Sequence, residues 1–194
     1  MNEVIKTILE RRTIRKFQDR QISREDLDLI LEAGLYAPTS GGMQRVEMLV
    51  CQDKEINDRL GRINRKVFGH ANSDGIHFVS GTQKSIADDD NIKSAFYDAP
   101  TVITLFAPAD WVYNQQDCAS VAITMSIAAW SLGIGSCYVS RAEETFATEY
   151  GREIMKKSGV SEDKIALVHL CLGYPIPTGN VAKKRKEGRI KFCK

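Results

Sequence analysis

A chain of 194 residues with 43% apolar and 27% charged side chains can bury one substantial core, and its ordinary composition excludes a disordered or fibrous polypeptide. The formal net charge of +2 gives no overall polyanion-binding character. The longest apolar-leaning stretch, Cys118 to Ile134, is interrupted by serines and a threonine, so a core helix is expected there and no membrane span.

In chain order, Val4, Ile5, Ile8 and Leu9 have the spacing of an amphipathic helix. Four cations follow within six residues, in Arg11-Arg12-Thr13-Ile14-Arg15-Lys16. Ser23-Arg24-Glu25-Asp26 reads as a capping box that opens a second helix, with Leu27, Ile30, Leu31 and Leu35 as its apolar face and Pro38 as its stop. Ala37-Pro38-Thr39-Ser40-Gly41-Gly42-Met43-Gln44 is a polar turn before a strand from Val46 to Val50. Ile56, Leu60, Ile63 and Val67 recur at helical spacing. Residues 69–98 lack periodicity and are expected to form a variable, lid-like loop, with the acidic run Asp88-Asp89-Asp90 solvated.

Regular patterns resume at Pro100. Thr101 to Ala107 is β-branched and apolar, the signature of a buried strand. A central helix is expected over Asp117–Leu132, a strand over Ser136–Ser140, a helix over Glu143–Lys157 and a last core strand over Ile165–Leu172. The tail from Ile176 has few apolar residues. The whole reads as one α+β domain, 1–194, with a sheet between helical layers and residues 176–194 as a C-terminal arm.

Charge is unevenly placed. Residues 1–24 hold seven Lys/Arg against three Asp/Glu, and residues 183–194 hold seven against one. Two basic ends on an acidic body are either solvated termini or two contributors to one anion site; phosphate favours several charge-assisted donors. With the polar turn at 37–44, this points to a phosphorylated cofactor with a polar ring. The five cysteines form no Cys-x-x-Cys pair, are odd in number and follow no secretory leader, so a reduced, cytoplasmic protein with mostly buried thiols is expected. His70, His77 and His169 have no metal-ligand spacing and no metal is expected; His169, inside an apolar strand, reads as a satisfied core residue, and the other two as loop positions. Cys137, Tyr138 and Trp130 read as packing residues. Aromatic residues do not interleave with the basic clusters, which argues against nucleic acid.

The chain resembles the FMN-dependent nitroreductases over most of its length. The resemblance is carried by Arg11–Phe17, by Ala37-Pro38-Thr39-Ser40 with Gln44, by Ser131-Leu132-Gly133-Ile134-Gly135-Ser136-Cys137-Tyr138, by Leu172-Gly173-Tyr174-Pro175 and by Lys183-Lys184-Arg185. It implies a three-layer α+β sandwich with a mixed, mainly antiparallel sheet, and a homodimer whose C-terminal extension lies over the partner. It also implies FMN, with NADH or NADPH as electron donor, and ping-pong transfer to a nitro, quinone or related small-molecule acceptor.

Residue by residue, the resemblance assigns Arg11, with Arg12 and Thr13, to the phosphate and Arg15 to the pyrimidine edge of the ring. Pro38, Thr39, Ser40 and Gln44 would line the ring from the neighbouring subunit. Val139, Ser140 and Arg141 would place backbone near the ring nitrogen that accepts the hydride. Lys183 and Arg185 would close over the phosphate. No side chain need act as acid or base in hydride transfer, so no catalytic residue is assigned. The chain departs from the family pattern at Arg45 and at Ser140-Arg141, where added charge and bulk would favour an anionic acceptor or exclude bulky nitroaromatics. A same-fold flavoprotein with another redox reaction, and a non-enzymatic binder of anions or nucleic acid, are the alternative functions.

Overall fold

The computed structural model of the chain describes residues 1–70 and 81–193. Four strands form one antiparallel sheet in the order β1-β2-β4-β3: β1 is Glu47–Cys51, β2 Thr101–Pro108, β3 Gly135–Val139 and β4 Lys164–Gly173. Outside the strands, Thr13 makes a parallel bridge to Ser136, and Phe17 an antiparallel bridge to Pro175. The sheet with these bridges matches the expected mixed, mainly antiparallel α+β arrangement.

Helices cover both faces. On one face lie α2 (Arg24–Leu35) and α4 (Asn114–Ser131), on the other α3 (Lys54–His70), α5 (Ala142–Phe146) and α6 (Glu149–Lys157). This explains the continuous apolar run of β2. Val102 and Phe106 enter the core beneath α3, α5 and α6, while Ile103, Leu105 and Ala107 enter the core beneath α2 and α4. Strand side chains alternate between faces, and here both faces are dry.

Local signals hold where they satisfy backbone groups. Ser23 Oγ accepts the Asp26 N–H at 3.0 Å and donates to the Asp26 carboxylate at 2.7 Å, the expected cap of α2. The first helix, α1 (Glu3–Glu10), forms as expected, yet it contains no buried residue: Val4, Ile5, Ile8 and Leu9 are 47–62% exposed. Leu35, expected in the buried face of α2, is also exposed.

Three further expectations need correction. The helix expected over Glu143–Lys157 is two helices. Thr148 leaves helical geometry and caps α6, its Oγ accepting the Gly151 N–H at 3.2 Å. The two segments approach so closely that a Cβ on Gly151 would lie 2.5 Å from the Phe146 Cα, which only glycine avoids. Tyr138, expected in the core, is 44% exposed because β3 is the edge strand. The acidic run, expected to be solvated, is so only in part: Asp90 is fully exposed and pairs with Arg65 at 2.9 Å, whereas Asp88 and Asp89 are half-buried, Asp88 accepting from the Ser85 N–H and hydroxyl and Asp89 from the Asn91 N–H.

Of the irregular stretch expected at 69–98, residues 69 and 70 continue α3, and residues 71–80, including His77, lie outside the described residues. Residues 83–99 sink Gln83, Ile86, Ala95, Phe96 and Ala99 into the molecule.

Candidate functional site

The basic segment after α1 is held rigidly against the sheet. Ile14 donates its N–H to the Ser136 carbonyl at 2.9 Å, and Ile14 and Phe17 are buried. Gly135 makes this possible, since a Cβ there would meet the Ile14 side chain at 2.7 Å. With Ile14 turned inward, Arg11, Arg12, Thr13 and Arg15 line a cavity on the outer side.

The tail returns to the same place. Ile176 donates to the Lys16 carbonyl at 3.0 Å, Gln18 to the Tyr174 carbonyl at 2.9 Å, and Asn180 Nδ2 to the Thr13 carbonyl at 3.0 Å. Gln83, fully buried, clasps both ends: its Oε1 accepts the Arg15 N–H and its Nε2 donates to Thr178 Oγ at 2.6 Å. Thr82 reaches Asn180 Oδ1 at 3.3 Å. The result is a cavity of about 440 Å³ into which Lys183 and Arg185 of the tail and Arg11, Arg12 and Arg15 of the first segment all project.

Among the described residues none of these five cations forms a salt bridge. Burial first, and the neighbouring Arg12 second, pull the Arg11 guanidinium below its ordinary pKa. Arg15 has a buried Nε without a hydrogen-bond partner, and its guanidinium lies 5.8 Å from the Tyr97 ring centroid. Arg12 is differently employed: its guanidinium donates to the Leu9 and Arg11 carbonyls, both at 2.8 Å, and so closes the end of α1.

Thr82, Gln83, Thr178 and Asn180 were not expected at this site. They are single polar residues in irregular segments and carry no periodic signal.

The other expected ring-binding residues do not line this cavity within one chain. Pro38, Thr39, Ser40 and Gln44 form a turn beside the start of α4. Ser40 gives both its N–H and its hydroxyl to Asp117 at 2.8 Å, and Gln44 gives its N–H to Thr39 Oγ at 3.1 Å. Val139 ends β3. The carbonyls of Ser140 and Arg141 both accept from the buried Asn64 amide at 2.8 and 3.2 Å, and Arg141 adopts φ +65° and pairs with Glu144.

Buried reactive groups near the sheet are inert. Burial pushes the Cys137 thiol up to about 11, although Arg15 and Arg11 pull it down, so it stays protonated at neutral pH. Burial holds His169 neutral, with its pKa lowered to about 3; its Nδ1 meets Thr104 Oγ at 2.9 Å while its Nε2 has no partner, so this core histidine is half satisfied. Among the described residues no group of three or more His, Cys, Asp or Glu could hold a metal ion, and no described helix is long and apolar enough to cross a membrane.

Fold and site together define an α+β protein with a cation-lined cavity built from both ends of its chain. The chain matches the nitroreductase family over residues 8–174 and belongs to it. A relative from Archaeoglobus fulgidus, bearing a provisional NADH dehydrogenase/NAD(P)H nitroreductase name, is 29% identical over 90% of this chain and 87% of its own length. The NADPH-flavin oxidoreductase of Vibrio harveyi is 27% identical over 90% of this chain and 67% of its own. A nitroreductase from Bacteroides fragilis, solved with bound FMN, superposes with a TM-score of 0.80 at 26% identity, each chain covered completely. A nitroreductase from Desulfitobacterium hafniense shares the fold with a TM-score of 0.84 at 23% identity, again over both complete chains.

Proposed function

We propose that the protein is an FMN-dependent NAD(P)H oxidoreductase of nitroreductase type, acting as a homodimer in the cytoplasm. The observation that carries this reading is the meeting of Arg11, Arg15, Lys183 and Arg185 around one cavity, with no carboxylate partner among the described residues. The residues fit the cofactor: cations without a carboxylate partner among the described residues suit a phosphate dianion. When bound, FMN supplies two-electron chemistry, alternately accepting a hydride from NADH or NADPH and reducing a nitro, quinone or related acceptor in ping-pong fashion.

The chain's own residues bind and tune. Arg11, Lys183 and Arg185 hold the phosphate, with Thr13 beside them. Arg15 sets a permanent positive charge at the pyrimidine edge, where negative charge grows on two-electron reduction. Val139, Ser140 and Arg141 present backbone to the reacting face. Pro38, Thr39, Ser40 and Gln44 approach the ring from the partner subunit.

The dimer is supported by apolar surface that a monomer leaves in water. It comprises the unburied stripe of α1 and the tail residues Val181, Ile190 and Phe192, which are 75–83% exposed. The cytoplasmic assignment rests on free thiols at Cys51, Cys118, Cys137, Cys171 and Cys193.

The decisive experiment is a visible spectrum of the purified protein followed by anaerobic titration with NADH and with NADPH. A yellow protein bleached by one nicotinamide and recoloured by an acceptor is expected. Colourless protein that takes up no added FMN would remove the proposal. Size measurement in solution is expected to return a dimer, and a folded monomer retaining FMN would remove the shared-site part.

A further inference from the structure

Asp117, in the first turn of α4, is 3% exposed. A carboxylate so buried needs donors, and it has three. Its Oδ1 accepts the Ser40 N–H and hydroxyl, each at 2.8 Å, and its Oδ2 accepts the Trp111 indole N–H at 3.0 Å. The Arg45 guanidinium lies over the Trp111 ring, 4.3 Å from its centroid. Burial alone would raise the Asp117 pKa, but the bonds from Ser40 and Trp111 and the Arg45 charge outweigh it and hold the carboxyl below its ordinary value.

The turn held in this way is not one the chain adopts freely. Gly41, Gly42 and Gln44 all have positive φ, +61°, +64° and +51°, and for Gln44 that conformation costs free energy. Asp117 and Arg45 grip the turn near its two ends. Its donors are thereby sorted. Both Ser40 donors are spent on Asp117 and the Gln44 N–H on Thr39 Oγ. The Thr39 hydroxyl hydrogen and the exposed Gln44 carboxamide remain to face a ligand.

We propose that Asp117 is the positioning residue of ring recognition: its buried carboxylate, backed by Trp111 and Arg45, fixes Ser40 so that Thr39 and Gln44 are the groups presented to the flavin ring. This rests on the reading of the protein as an FMN enzyme. Ser40 is then an anchor, and Arg45 is a clamp whose charge is directed inward to Trp111 and Asp117 and does not select the acceptor.

The test compares wild type, Asp117→Ala and Asp117→Asn for FMN and riboflavin affinity by flavin fluorescence, with thermal unfolding measured alongside. Riboflavin lacks the phosphate and reports the ring alone. Asp117→Ala is expected to weaken both ligands by the same factor, roughly tenfold or more for the loss of charge-assisted bonds. Asp117→Asn keeps an oxygen for both Ser40 donors but turns its NH2 toward the Trp111 indole N–H, so it is expected to restore part of that loss. A residue with only a structural role would lower the melting temperature and leave the affinity of the folded protein unchanged, which would overturn the inference, as would a loss confined to FMN. If Asp117→Ala does not fold, Ser40→Ala serves in its place, with the same equal loss expected. Wild-type protein that binds neither flavin would overturn the functional reading, and this inference with it; wild-type binding with unaffected variants overturns the inference alone.

Discussion

The cavity of Arg11 and Arg185 and the turn of Thr39 and Gln44 are the two parts of the proposed site, and their internal bonding is opposite. The cavity concentrates cations that have no carboxylate partner among the described residues, an electrostatic deficit that the proposed phosphate would relieve. The turn has committed both Ser40 donors to Asp117 and the Gln44 N–H to Thr39 Oγ, so it contributes a shape fixed by its own bonds. A site can thus hold a charged end tightly through unpaired groups while presenting a mobile-looking polar turn as a rigid edge. The first strategy costs stability in the empty protein; the second costs backbone strain at Gln44.

The largest effect should separate the two parts directly. Arg11→Ala and Arg185→Ala are each expected to lower FMN affinity about tenfold to a hundredfold, the range of a lost charge-assisted contact, while leaving riboflavin affinity unchanged. An equal fall for riboflavin would break the distinction. Next, Gly135→Ala drives a Cβ to within 2.7 Å of Ile14 and should destabilise the fold by roughly 1–3 kcal/mol in urea unfolding. It should also weaken FMN through the displaced Arg11–Arg15 segment.

A third measurement probes the sheet and neither part of the site. The folded-state pKa of His169 is lowered to about 3, so the unfolded chain binds a proton that the native protein refuses. Stability is then complete above about pH 6.5 and falls as pH drops below it, by about 1.4 kcal/mol per pH unit for this group. His169→Asn should flatten that slope between pH 6.5 and 5 without changing FMN affinity at pH 7.5. The smallest effect belongs to Arg45→Ala, which removes the stacking on Trp111 and should cost about 0.5–1 kcal/mol of stability with no change in acceptor preference. A changed preference between anionic and neutral acceptors would show that Arg45 faces the substrate after all.

Much of the architecture was legible in advance because it rests on short-range rules. The capping box at Ser23, the β-branched run of β2 and the stop at Pro38 each encode their own outcome. The uneven charge also pointed correctly to the joining of the two ends. The break between α5 and α6 was hidden, because Thr148 and Gly151 are tolerated in a helix and the break arises from close approach to Phe146. Asp117 entered the sequence analysis only as the start of the central helix, since nothing near it in the chain announces Ser40, which lies 77 residues away.

By itself, the order of residues determined most of the strands and helices and the clustering of positive charge at both ends, because periodicity, capping and charge act over a few residues. Only the tertiary structure decided which polar groups are spent and which are free. That depends on pairings such as Gln83 with Arg15 and Thr178, or Asp117 with Ser40 and Trp111, between groups brought together by the packing of the sheet and its helices. Hydrogen bonds saturate, so a donor's partner in space, and not its type in the chain, sets what it can offer a ligand.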